Sequence, residues 1–234
     1  MPALPHILLG ALPGILWMAY IWRKDRWERE PILLLLRVFA LGAAAAYIVA
    51  HLRPRLELWL LPEDPGIVSD LADAFVVTAG GEELFKLLAF TLGALWHREW
   101  DEPMDGIVYG AAAGLGFAAL ENAYFLSAGG GSGLLLARAF TANLAHVIFS
   151  AGLGFAFGMA KLRGSWTPIP LGILGALLAH GAYDLFLFSR PEWNLLSLLG
   201  VLPLGLAALA LATRWSLRNS PHAPAQHSTP DPGT

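Results

Sequence analysis

Residues 74–96 read AFVVTAGGEELFKLLAFTLGALW, a run apolar enough to cross a bilayer but carrying Glu82, Glu83 and Lys86 in its middle. A charge near the bilayer centre costs at least about 2.5–3.5 kcal/mol on insertion scales. A stretch that keeps three of them needs surroundings that offset the cost. Reading outward from this stretch means asking what the rest of the chain brings to the same depth.

Composition places the whole chain in the membrane. Of 234 residues, 56% are hydrophobic and 14% charged, and the mean hydropathy is +0.55. A soluble domain is nearer 45–50% apolar and about 25% charged. The formal net charge of −3 gives no reason to expect a nucleic-acid partner. The absence of cysteine excludes disulfides, thiolate metal sites and a cysteine nucleophile. The N-terminal MPALPHILLG lacks the basic region and small-residue cleavage site of a signal peptide, so its apolar run is expected to be a retained helix.

At about 20 residues per crossing, seven segments qualify: 5–22, 31–52, 67–96, 106–128, 134–159, 168–188 and 195–213. The expected fold is an all-α polytopic bundle with residues 1–213 as a single membrane domain. Residues 214–234, with four prolines among Ser, Thr, His and Gln, read as a disordered cytoplasmic tail in which His222 and His227 are incidental. Loop charge sets the orientation. Arg23, Lys24, Arg26, Arg29, Arg98, Lys161, Arg163, Arg214 and Arg218 fall on one side, and Arg53, Arg55 and Arg190 on the other. That bias puts the N-terminus outside and the C-terminus in the cytoplasm.

Gly106, Gly110 and Gly114 recur every fourth residue, as do Gly154 and Gly158, a spacing that lets helices pack closely in lipid. Such packing would bring together polar groups that four spans carry away from their ends. These are Glu82, Glu83 and Lys86; Glu121 and Asn122; Asn143 and His146; and His180 and Asp184. Glu82 and Glu121 each lie roughly 22 Å along their spans, and His146 and His180 roughly 18 Å, counted from alternating faces. All four fall near one central layer of a core about 30 Å thick. Glu82–Lys86 and His180–Asp184 are i, i+4 pairs, the first in the favoured acid-before-base order. Glu83 sits about 100° round from Glu82, so one glutamate is expected to be held by Lys86 and the other to face the cavity. Arg37 and Arg138, near span ends, are expected to snorkel. Asp70 and Asp73 are expected to face water or cap a helix, and His51 and His97 lie at the water boundary.

Carboxylates and imidazoles in one wet cavity can activate water: a glutamate takes the proton while a histidine supports the oxyanion or holds a metal. No serine or threonine stands in a nucleophile motif. The same residues would also serve a proton- or cation-coupled transporter, and a catalytically silent immunity or scaffold protein is a third reading.

In their order along the chain, EELFK (82–86), GFAALEN (116–122), the in-membrane His146 and HGAYD (180–184) together resemble the PrsW family of intramembrane proteases. That family is distantly related to type II CAAX prenyl endopeptidases and bacteriocin-immunity membrane proteins. The resemblance covers about residues 67–188. It implies that Glu82 and Glu83 include the catalytic acid/base of an EExxK motif whose lysine is Lys86, and that His146 and His180 are the family's two membrane histidines. Asp184 fits the closing HxxxN/D pattern. Phe117 and Glu121 fit an FxxxH pattern, with glutamate where the CAAX enzymes have histidine. The family is classed among metallopeptidases, which makes Glu82, Glu83, Glu121, His146 and His180 candidate ligands for Zn²⁺. Metal-free activation of water would use the same side chains, and HExxH is absent. The implied setting is the bacterial inner membrane. The implied substrate is a single-pass or membrane-proximal protein such as an anti-sigma factor, cut towards the extracytoplasmic side.

Overall fold

A backbone in hydrocarbon must satisfy its own polar groups, and a helix does so within each segment. In the computed structural model, which describes residues 1–189 and 191–224, all regular structure is helical. Helix α1 spans Leu4–Lys24 and α2 Ile32–Leu60. Next, α3 is a continuous run of four pieces: α-helical Ile67–Leu71, π-helical Ala72–Gly80, α-helical Gly81–Phe90 and π-helical Thr91–Leu95. Then come α4 (Pro103–Ser127), the short α5 (Ser132–Phe140), α6 (Ala142–Arg163) and α7 (Pro168–Asp184), which a π turn extends over Leu185–Ser189. Short turns over residues 191–201 lead into α8 (Leu202–Arg218).

Local chemistry sets several of these ends. Proline opens α4, α7 and α8, where its missing N–H costs nothing. Gly164, at φ 60°, closes α6 in the left-handed conformation that favours glycine. Six stretches are long and apolar enough to cross a bilayer: α1, α2, α4, α5 with α6, α7, and 194–218. The seventh expected crossing is α3, in which no single piece is that long and three charges interrupt the apolar run. The molecule is therefore a multi-pass helical membrane bundle.

Burial ranks the helices. Within its apolar window α4 is 94% buried, whereas α1 and the final crossing are 11% buried and present leucines outward. Helix α4 is thus the post around which α6, α1 and α2 pack. Its contact with α6 is a seam of glycines. A methyl at Gly106 would overlap the Gly154 carbonyl, one at Gly110 the Ser150 carbonyl, and one at Gly158 the backbone of Pro103. Lipid tails are as apolar as leucine, so such backbone-to-backbone fit holds helices together in place of a hydrophobic driving force. Phe90, Trp100, Tyr109 and Phe157 fill the end of the bundle near the start of α4 with edge and tilted ring contacts.

Three expectations are corrected. The second span does not stop near residue 52, because α2 runs through Pro54 to Leu60 with Arg53 pairing to Glu57 one turn on. The fifth span breaks at Thr141, where φ −115° and ψ −79° separate α5 from α6. In the tail, residues 214–218 complete α8, and His222 lies 2.8 Å from Glu28 and 3.0 Å from Asp101. Its position is therefore not incidental. His227 lies outside the described residues.

The seam gives a direct test. Gly154→Ala should lose about 1–3 kcal/mol to overpacking. Gly152→Ala, where a methyl meets open space, should be neutral or slightly stabilising. Thermal unfolding of the detergent-purified variants measures both.

Candidate active site

Glu82 and Glu83 occupy the first turn of the Gly81–Phe90 piece of α3, with Lys86 one turn on. Lys86 is 0% exposed. Its ammonium has three N–H donors and no acceptor, and three acceptors meet it: Glu82 Oε2 at 3.0 Å, Glu83 Oε1 at 2.9 Å and His146 Nδ1 at 2.9 Å. With Nδ1 accepting, the neutral His146 ring carries its proton on Nε2 and donates it to Glu121 Oε2 at 3.0 Å. The Phe117 ring lies 4.4 Å from the ammonium and adds a cation–π contact.

The second histidine closes the ring of groups. His180 Nδ1 lies 2.8 Å from Glu83 Oε1, and its Nε2 lies 3.3 Å from Asp184 Oδ2 and 3.7 Å from Glu82 Oε2. Phe149 stacks on the imidazole with centroids 4.9 Å apart, fixing its plane. On the α4 side, Arg138 donates to Glu121 Oε2 at 3.2 Å and to Asn122 Oδ1 at 2.7 Å, and Asn122 donates to Asn143 Oδ1 at 2.9 Å. Helices α3, α4, α6 and α7 and the short α5 thus meet in one polar network.

The network opens onto a cavity of about 640 Å³ lined by Glu82, Glu121, Arg138, His146, His180 and Asp184, with Arg53, Asp73 and Thr78 further along its wall. Glu83 and Lys86 lie behind that wall. The nine residues singled out in the sequence, Glu82, Glu83, Lys86, Glu121, Asn122, Asn143, His146, His180 and Asp184, therefore assemble at one site. The expected division of the glutamates is corrected, because Lys86 holds both, and Glu82 is the one that also faces the cavity. Arg138 does not snorkel; it is the counter-charge of Glu121. Asp73, about a third exposed in the first turn of its π-helical piece, pairs with Arg53 at 3.1 Å, and Arg53 also donates to Thr78 at 3.0 Å. Asp70 lies half-buried in the first piece of α3. Sequence reasoning misses Arg138 as a site residue, although a carboxylate at mid-span, Glu121, calls for a cation within reach.

The donor chemistry suits a metal ion. Glu82, Glu121 and His146 each offer a ligand atom within 4.8 Å of the others. Two carboxylates and an imidazole facing a cavity are donors that a divalent metal can use, with room left for a further ligand.

The model of a family described as PrsW family intramembrane metalloprotease matches residues 30–211. A protein named Protease PrsW from Geobacillus kaustophilus (strain HTA426) is 34% identical over 205 residues, covering 87% of this chain and 88% of that protein. The Bacillus subtilis (strain 168) Protease PrsW is 32% identical over 192 residues, covering 80% and 84%. The Clostridioides difficile (strain 630) protein of the same name is 29% identical over 199 residues, covering 82% and 83%. No solved structure matches.

Removing one member of a buried ion cluster strands the others. Lys86→Met should cost about 3–5 kcal/mol, seen as a lower unfolding temperature in detergent. Adding Glu83→Gln to Lys86→Met should restore part of the loss.

Proposed function

This chain belongs to the PrsW family of intramembrane metalloproteases, and from that premise we propose that Glu82 prepares water for attack on a peptide bond, with the residues around it holding it in place. The observation that carries the assignment is that Glu82 alone of the two glutamates both contacts Lys86 and lines the cavity. As water adds to the scissile carbonyl carbon, Glu82 takes its proton. When the carbon–nitrogen bond breaks, Glu82 returns that proton to the departing amine. His180, oriented by Glu83 and Asp184, and Arg138 lie on the cavity wall where they can stabilise the oxyanion. Glu83 keeps Lys86 and His180 in register without touching the substrate. Glu121, Asn122 and Arg138 position His146 and close the site towards α4.

Glu82, Glu121 and His146 would hold Zn²⁺. A metal held there would compete with the proton that His146 donates to Glu121. A bound Zn²⁺ supplies Lewis-acid polarisation of the carbonyl and a more acidic water.

We take residues 1–213 as one catalytic unit in the bacterial cytoplasmic membrane, oriented by the loop charges with the N-terminus outside. The cavity lies at the end of the bundle where α2 and α4 finish and α3 and α6 begin, which this orientation turns outward. Its rim carries the exposed Leu134 and Phe188 from α5 and the turn after α7. That apolar lip suits the unwound end of a single-pass membrane protein cut near the outer face.

Reconstituted protein with single-span peptide substrates tests the roles. Glu82→Gln should lose at least about 10²-fold in kcat, and His146→Ala and His180→Ala should also fall, with each variant folded. A chelator should abolish cleavage and Zn²⁺ should restore it. Full cleavage by Glu82→Gln overturns the assignment of the base. Proton flux abolished by the same substitutions, without cleavage, overturns the proteolytic reading of the site.

A further inference from the structure

The other dense group of ionisable side chains lies at the opposite end of α4, roughly 24 Å from Glu121 by helical rise. Here loop 25–31 meets the start of the central helix. Asp25, Glu102 and Asp105 each place a carboxylate oxygen within 4.8 Å of the other two, and their exposures are 0%, 1% and 1%. Glu30, also buried, accepts from the Tyr109 hydroxyl beside them.

Asp105 serves the backbone, since its Oδ2 accepts the N–H groups of Asp101 and Glu102 at 2.7 Å each. Asp25 serves nothing comparable. Both its oxygens are buried without a hydrogen-bond partner among the described residues. No lysine or arginine among the described residues forms an ion pair with any of the four acids. Arg29, the basic group nearest in effect, lies over the Trp22 ring, 5.2 Å from its centroid. Lys161 donates to the Trp100 carbonyl. A carboxylate buried with neither partner nor counter-ion is strongly disfavoured, and several in contact more so.

We propose that Asp25, Glu102 and Asp105 form a binding site for a hard divalent cation of the Ca²⁺ or Mg²⁺ class, separate from the catalytic cavity. The donors are all oxygen, the set such ions prefer over the imidazole and thiolate ligands of softer metals. Opposite ligands stand about 4.2 Å apart around Mg²⁺ and about 4.6–5.2 Å around Ca²⁺, and adjacent ones closer, so a group confined within 4.8 Å accommodates either. The unused Asp25 oxygens are placed to supply the missing ligation. The bound ion staples the first loop to the first turn of α4, and Ser220 and His222 beside Glu102 bring the segment after α8 to the same point.

Burial, then the like charges of Glu102, Asp105 and Glu28 against the weaker pull of Arg29, push the Asp25 carboxyl up to about 7, as expected where acids are gathered without a counter-ion.

Tb³⁺ titrated into the full-length protein in detergent tests this, with emission sensitised by the buried Trp100 and Tyr109. Saturable emission displaced by Ca²⁺ or Mg²⁺ is expected in the wild type. It should be retained in His146→Ala, which disables the cavity's metal site, and lost in Asp25→Asn and Glu102→Gln. Ca²⁺ or Mg²⁺ after chelation should also raise the unfolding temperature of the wild type but not of Asp25→Asn. Neutralising Asp25 removes like-charge repulsion, so that variant should fold, and Glu102→Gln reads the same site independently. Emission that survives in both variants, or the absence of saturable emission in the wild type, overturns the proposal.

Discussion

An ammonium group without water is the constraint on which the rest of this structure depends. Lys86 is sealed behind the cavity wall, and its three N–H bonds go to Glu82, Glu83 and His146. Each partner then passes the constraint outward. Glu83 fixes His180, His180 faces Asp184, and His146 fixes Glu121, which Arg138 holds from the far side. No member can turn away without stranding a charge in a medium that punishes it. The same low dielectric that makes the cluster costly to break makes its dipoles strong when a substrate bond begins to polarise.

The glycine seam between α4 and α6 is what makes this possible. With no side chains between them, the two backbones bring Glu121 and His146 within direct hydrogen-bonding reach. The buried face of α4 supplies a rigid wall, and the exposed leucines of α1 and α8 meet lipid. Rigid frame and polar contents thus come from different residues of the same helices.

Much of this is legible in the sequence. The crossings follow from apolar length, and Glu82, Lys86, Glu121, His146 and His180 from being too polar for their depth. What escaped had specific causes. Arg138 sits near a span end, where a long basic side chain ordinarily reaches for water, and only the break at Thr141 lets α5 aim it inward. The π-helical runs in α3 leave no periodic signature, since the same apolar residues fit either helix. Helix α2 continues past Pro54 because Arg53 finds Glu57, Asp73 and Thr78 there, partners drawn from two separate segments. Asp25 and Glu102 flank helix ends and Asp105 sits in a first helical turn, places where acids are commonplace until the fold buries them.

The order in which the chain is made gives the placement of Lys86 another meaning. Its partner His146 lies 60 residues downstream, and His180 lies 97 residues beyond Glu83. At ribosomal speeds of about 5–20 residues per second, the second histidine emerges roughly 5–20 s after the glutamates. Until His146 emerges, 60 residues after Lys86, the charged segment has neither of its histidine partners to meet. It does have its own lysine, one turn away on the same helix. Local pairing makes the nascent segment tolerable to the membrane early, and the distant histidines convert that temporary truce into the finished site.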